Sequence, residues 1–556
     1  MYIGKTNCVV EISFQSEKLY DNPYDIDLDV IFIDSENKCI KVPCFWDGDR
    51  IFKCRFSSPK CGVWSFKTVC SESNDMGLNN IKGEVTIIDY DLNNNLYIHG
   101  PLKVSSDKRH LCHYDNTPFF WLADTWWTGF TEKLSFDKGD FQTLAIDRKN
   151  KGYNAVQIVT GLYPDMRPFD PCSANEGGFA YYPKDDLDKL DIYNQENYEI
   201  INPLYFQYAD RKIKYLIDMG FVPVLFAMWG YFIDFMGVEK CKKFWKYIIA
   251  RYSAYPVVFS YCGEATLMYY ASDIWLKWEL NDKHAIDSWT EIAKYARNIE
   301  PFGRLWTIHP PTRDYKWTGK DQLSDYSLMD FNMTQSYHGA FDYRHTVKTL
   351  RYLRTLEPKK PYLVGEAYFE GILEQTREEV QRQVFWASVM CGALGYTYGA
   401  NGIWQLNEEG NPFRNNPIGI HWGDTPWREA MNFKGATQLG LAKKFLETLP
   451  WNEFEPHEEW VVCDENNKDK DEFAGNEPWA CGIEGKIRLF YFSLTHAPLI
   501  PLKGVKNIED NRYRAYFVNP STFVKYDIGK VEPCLDYWEI PKPPCNRDWL
   551  LIMVKE

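Results

Sequence analysis

The chain has 556 residues, 45% of them hydrophobic, and a formal charge of −14. That length exceeds what one ordinary core supports, so two or three domains are expected. The acidic balance argues against nucleic acid or an anionic membrane as partner, and no apolar run approaches the roughly 20 residues of a membrane helix.

Residues 1–92 read as all-β. Segments 27–33 and 40–46 are strand-like, Asp47-Gly48-Asp49 is a turn signal, and 51–56 and 62–68 alternate polar and apolar side chains as half-buried strands do. A last run at 83–88 completes a predicted β-sandwich, with Trp46 and Trp64 placed in its core by the alternation. Asn93, Asn94 and Asn95, followed by Gly100-Pro101, mark its boundary.

From 106 to 448 the pattern becomes strand, loop, helix, repeated. The predicted strands are 119–127, 154–160, 222–228, 257–262, 305–309, 331–337, 362–365 and 395–403, with amphipathic stretches between most of them. The clearest helix spans 202–220, with Pro203 near its start and Gly220 closing it. Eight such units predict an α/β chain built on a (β/α)8 TIM barrel, whose site lies where the strands end. Near Trp451 the rhythm stops. Strands predicted at 460–463, 487–492, 514–518 and 548–554 make residues 450–556 a second small β-domain.

Two of the predicted barrel strands end alike. The fourth runs into Cys262-Gly263-Glu264 and the seventh into Gly365-Glu366. Glycoside hydrolysis needs two such carboxylates, one as general acid/base and one as nucleophile or second base. Either glutamate alone also fits a helix cap or a buried ion pair; the matched pair among 17% aromatic residues favours chemistry on a sugar. Glu370 is a competing nucleophile, and Gly365 is expected to leave room for a sugar to approach. Other strand ends carry Asp124, Trp126, Trp127, Gln157, Trp229, His309, Gln335, His338, Tyr398 and Trp404, the candidate substrate-binding rim. Gln335, His338 and Tyr398 are the expected hydrogen-bond donors to Glu366. The insertion 164–194 reads equally as a wall of the site or as a surface loop.

The 15 cysteines are odd in number and dispersed, which favours reduced thiols over a disulfide framework. Ten histidines form no His-x-His or His-Glu-x-x-His pattern, so neither a metal nor a cofactor is expected. The start has no basic segment followed by an apolar core, so a cytoplasmic location is expected, although a trimmed leader would leave the same sequence.

These residues resemble the apiosidase-like glycoside hydrolases. The resemblance rests on segments 118–126, 257–265, 307–310, 332–338, 361–370 and 392–404, in order across the central domain. Residues 46–64 resemble the β-sandwich that often precedes this barrel, and 516–549 the small β-domain that often follows it. The resemblance implies a retaining mechanism, with the carboxylate after the fourth strand as acid/base and the one after the seventh as nucleophile; these map onto Glu264 and Glu366. One departure matters: the family usually places aspartate after two glycines at the first position, whereas Cys262-Gly263 precedes a glutamate here. Apiose specificity is therefore not carried over. The expectation is a glycosidase acting on a plant-type oligosaccharide or glycoside. The alternative is a non-catalytic carbohydrate-binding protein on the same scaffold. Sugar, linkage and homo-oligomer formation stay open.

Overall fold

The computed structural model describes residues 2–269, 282–338, 343–413, 422–462, 479–493, 504–506, 512–532, 534 and 536–556. At its centre is a parallel sheet of eight strands, β1 (Trp121–Thr125), β2 (Ala155–Leu162), β3 (Val222–Met228), β4 (Val258–Ser260), β5 (Leu305–Thr307), β6 (Asn332–Gln335), β7 (Tyr362–Glu366) and β8 (Gly395–Tyr398). Their order is β5-β4-β3-β2-β1-β8-β7-β6. Every residue in these strands is buried. Parallel strands covered on both faces read as apolar runs rather than alternating ones, which is why they stand out in the sequence.

Among the described residues, β5 and β6 share no ladder. Their seam is bridged instead by Asp330, whose N–H donates to the Trp306 carbonyl at 2.8 Å and whose Oδ2 accepts from the Trp306 N–H at 2.7 Å. The Thr307 hydroxyl adds a bond to the Phe331 carbonyl at 3.0 Å. The result is a nearly closed barrel.

Several strands are shorter than their apolar runs. The stretch 119–127 divides: Pro118–Phe119 joins a small sheet with Leu102–Val104 and Leu111–His113, and β1 begins at Trp121. The run 395–403 leaves the sheet after Tyr398, where Ile403 and Trp404 N–H groups turn back onto the Ala400 carbonyl. Buried loops are as apolar as buried strands, so composition does not separate them.

The covering helices are α1 (Asp140–Lys151), α2 (Pro203–Asp218), α3 (Phe232–Tyr252), α4 (Asp282–Ile299), α5 (Tyr343–Thr355), α6 (Glu378–Met390) and α7 (Lys434–Leu446). Helix α2 has the predicted ends: the Asn202 side chain accepts from the Leu204 N–H at 3.1 Å, and Gly220 turns the chain with a φ of +80°. Between β5 and β6 the described residues form only the 3₁₀ turns Gly319–Gln322 and Tyr326–Leu328.

Ahead of the barrel, a sheet of Tyr2–Lys5, Lys82–Ile88, Gly62–Cys70, Leu28–Asp34 and Cys39–Pro43 faces one of Val10–Gln15, Ile51–Phe56 and Phe45–Trp46. Pairing is antiparallel except between Tyr2–Lys5 and Lys82–Ile88. Ile12, Phe32, Phe56 and Trp64 lie in the core between the sheets.

A charge cluster keys these sheets to the barrel. Arg251 of α3 reaches Asp47 at 2.8 Å and Asp210 of α2 at 2.8 Å, and Arg55 meets Asp210 at 2.5 Å. Burial pushes the Asp210 carboxyl up, but the Arg251 and Arg55 guanidinium groups outweigh it and hold it at about 2. That contribution is present above the ordinary carboxylate range and is lost as pH falls toward 2. Arg251→Ala removes one of two cations from each of Asp47 and Asp210, leaving Lys53 and Arg55 as their remaining partners, so urea unfolding should show a loss of up to about 3–5 kcal/mol.

After the barrel come a six-stranded sheet, running from Glu455–Pro456 to Trp549–Lys555, and a three-stranded one of Val461–Val462, Gly504–Lys506 and Tyr537–Glu539. Cys463, the last residue of the predicted strand 460–463, lies outside the described residues. Buried Asp548 pins the larger sheet to α6 by accepting from Arg382 Nε at 2.7 Å and from the Tyr491 hydroxyl at 3.1 Å.

Candidate active site

The turn after β4 presents Glu264 by means of its neighbours. Gly263 forms a bridge with Trp229 at the end of β3, and a Cβ on Gly263 would lie 2.2 Å from the Trp229 ring. Only glycine allows that indole to pack so closely against the chain. Glu264 itself sits at φ +44°, a left-handed conformation that costs a non-glycine residue about 1–3 kcal/mol and tends to occur at functional sites. The indole N–H of Trp229 donates to Glu264 Oε2 at 3.0 Å, and the Gln335 side chain reaches the same carboxylate.

Glu366 closes β7 beneath two imidazoles. Nε2 of His309 lies 3.2 Å from one carboxylate oxygen, and Nε2 of His338 lies 3.2 Å from the other. The backbone is held from both sides: Gln157 Nε2 donates to the Gly365 carbonyl at 2.8 Å, and the Ser336 N–H donates to the Glu366 carbonyl at 2.9 Å. Gln335 and Glu366 are register partners across β6 and β7, so the Gln335 side chain links the strand of one glutamate to the carboxyl of the other.

This setting drives the two carboxyls apart. Burial, then the charge of Glu366 and of Asp165, raises Glu264 well above the usual carboxylate range. Burial acts the same way on Glu366, but His309 and His338 outweigh it and hold this group below that range. A protonated acid beside an ionised carboxylate is the pairing that acid-assisted displacement at a sugar carbon requires. Because the Trp229 N–H stabilises ionised Glu264, Trp229→Phe should raise the Glu264 pKa further. The basic limb of kcat/KM against pH should then move to higher pH.

Aromatic rings enclose the pair. Trp127 lies 5.3 Å from Trp229 and 5.9 Å from His309. On the other side, His338 packs 5.3 Å from Phe369, which lies 6.1 Å from Trp404.

Across residues 105–453 the chain matches the family model of the apiosidase-like catalytic domain. The chain belongs to the apiosidase-like family. Residues 7–71 match a domain of unknown function, DUF5060. A glycoside hydrolase family 5 structure from Bacteroides vulgatus is 21% identical with a TM-score of 0.62, covering 83% of this chain and 94% of that one. A putative glycoside hydrolase from the same organism is 16% identical with a TM-score of 0.69, and the match covers 100% of each chain. A third structure, described as a glycoside hydrolase, is 21% identical with a TM-score of 0.61, over 83% of this chain and 98% of the other. At these identities the likeness is one of fold. No curated protein matches the chain.

In this apiosidase-like barrel, Trp127, Trp229, His309, Gln335 and His338 gather around Glu264 and Glu366, and Gln157 supports them from below. Three rim candidates, Asp124, Trp126 and Tyr398, serve elsewhere. Asp124 is fully buried and accepts from Arg148 Nε at 2.6 Å and Trp126 Nε1 at 2.8 Å; Trp126 is thereby tied to the interior and meets Phe141 edge-on. The Tyr398 hydroxyl donates to Glu370 at 2.6 Å, not to Glu366. Trp404 stays beside the site, 6.1 Å from Phe369 and also packed on Phe413. Gly365 also has a different reason from the one expected: a Cβ there would meet Met333 at 2.2 Å, so it accommodates a core side chain rather than a sugar.

Glu370 is walled off. Besides Tyr398 it accepts the Gly435 N–H at 2.9 Å, and a Cβ on Gly435 would lie 2.3 Å from its carboxylate. The residue that sequence reasoning missed is Asp165, held at φ +56° just after β2, whose charge acts on Glu264. Its position at the head of the 164–194 insertion, which follows the second predicted strand, was the available signal.

Proposed function

We propose that this protein is a retaining glycoside hydrolase acting on a plant-type oligosaccharide or glycoside, with domains at 1–92, 106–448 and 450–556. Ionised Glu366 attacks the anomeric carbon while protonated Glu264 gives its proton to the departing glycosidic oxygen. Glu264, now ionised, then takes a proton from water as that water displaces Glu366 and releases the sugar. The observation that carries this reading is the unlike setting of two buried carboxyls: an imidazole nitrogen 3.2 Å from each oxygen of Glu366 favours its ionised form, whereas burial beside that charge favours the protonated form of Glu264.

Gln335 Oε1 and Trp404 Nε1 are buried without hydrogen-bond partners among the described residues. Buried polar atoms normally find partners, so these are suited to meet sugar hydroxyls. The dispersed cysteines suit a reducing cytoplasm. Among the described residues no helix is long and apolar enough to cross a membrane.

The test is a screen of aryl glycosides covering pentosides, furanosides and deoxysugars, followed by proton NMR of the first-formed anomer. Hydrolysis with retained configuration is expected. An inverted first product would leave Glu366 as a base that activates water, and binding without turnover of every sugar tried would favour the non-catalytic alternative.

A further inference from the structure

A second cavity, of about 370 Å³, opens at the base of the barrel. Its wall includes Tyr362 at the start of β7, Ala393 just before β8 and Phe120 just before β1. These are the N-terminal ends of the strands, so the cavity lies on the opposite face of the barrel from Glu366, which ends β7. Its volume falls in the range of small-molecule sites, roughly 300–1,000 Å³.

The lining combines an aromatic floor with a cationic rim. Phe120 meets the Trp451 ring edge-on at 5.1 Å, and His110 meets it at 5.7 Å. The His110 Nδ1 atom is buried and makes no hydrogen bond, with Asp107 Oδ1 3.5 Å away. Five cations border the space: Lys108, Arg109, Arg354, Lys359 and Lys360. Of the lining residues only Asp107 and Glu455 are acidic, and both are bound to Arg109 at 2.9 Å. Among the described residues Lys108, Arg354 and Lys359 have no carboxylate partner. Lys360 is half-buried and donates to the Tyr326 carbonyl at 2.9 Å; burial lowers its pKa, with Asp330 and Asp325 acting against that and Arg297 and Lys108 adding to it. A net positive cavity is a local exception on a chain of charge −14, and uncompensated cations around a concave aromatic floor attract a ligand of opposite charge.

We infer that this basal cavity is a binding site for an anionic sugar, its ring face on Trp451 and its carboxylate or phosphate among Arg354, Lys359 and Lys108. The two sources of negative charge are separated by probe. Titration calorimetry of the full chain with glucuronate, with glucose 6-phosphate and with glucose should show one anion binding and the neutral sugar not. Raising NaCl from low to high concentration should weaken that binding, as screening of exposed charges requires. The double variant Arg354→Ala/Lys359→Ala removes exposed side chains, so it should unfold at the same temperature as the parent. It should lose at least about tenfold in affinity for the anion, with aryl glycoside hydrolysis unchanged. The inference is overturned if glucose binds as well as the anions, if neither anion binds, or if the double variant binds the anion as tightly as the parent.

Discussion

Glu366→Ala should abolish turnover, with kcat lower by at least about 10⁴-fold even for a dinitrophenyl glycoside. A good leaving group removes the need for acid assistance but not for a nucleophile, so activated substrates offer no escape. Glu366→Gln should fail equally, because an amide keeps the shape while losing the charge that His309 and His338 hold in place. Added azide should attack the anomeric carbon directly in the alanine variant and give a glycosyl azide of inverted configuration. Residual activity shared equally with Glu370→Ala would point to the wrong carboxylate.

Glu264→Ala should behave differently. Loss should depend on the leaving group, small for dinitrophenolate and about 10²–10⁴-fold for an unactivated alcohol. The pH profile supplies the second half of the test. The competent enzyme holds Glu264 protonated and Glu366 ionised, so activity should fall as pH rises through the raised pKa of Glu264. Removing Glu264 should remove that basic limb. Equal losses on good and poor leaving groups, with the limb intact, would assign the proton to another group.

The legible parts of this molecule are those where local chemistry and global role coincide. Strands β3 and β7 read clearly because a parallel strand covered on both faces is a short apolar run, and Asn202, Pro203 and Gly220 announce the ends of α2. The two Gly-Glu turns are visible because close packing leaves no room for a Cβ at Gly263 or Gly365. What fills that room is not visible: Trp229 in one case and Met333 in the other.

The rim was the less readable part. Asp124 and Glu264 look alike as polar residues at strand ends, yet Asp124 is neutralised by Arg148, 24 residues on and delivered by α1. Likewise, Tyr398 could have faced either of two glutamates four residues apart, and only the turn after β7 decides that it meets Glu370. Such pairings depend on how helices lie against the barrel, which periodicity does not encode. The contribution of Asp165 is similar, because it acts through space on a group from another strand.

The most direct measurement of the central claim is to trap the glycosyl-enzyme. A 2-deoxy-2-fluoro glycoside of the preferred sugar slows breakdown of the covalent intermediate, and peptide mapping by mass spectrometry then locates the label. The account predicts label on Glu366, in the peptide that carries Gly365. Label on Glu370 or Glu264, or an inverted product with no covalent intermediate at all, would contradict it.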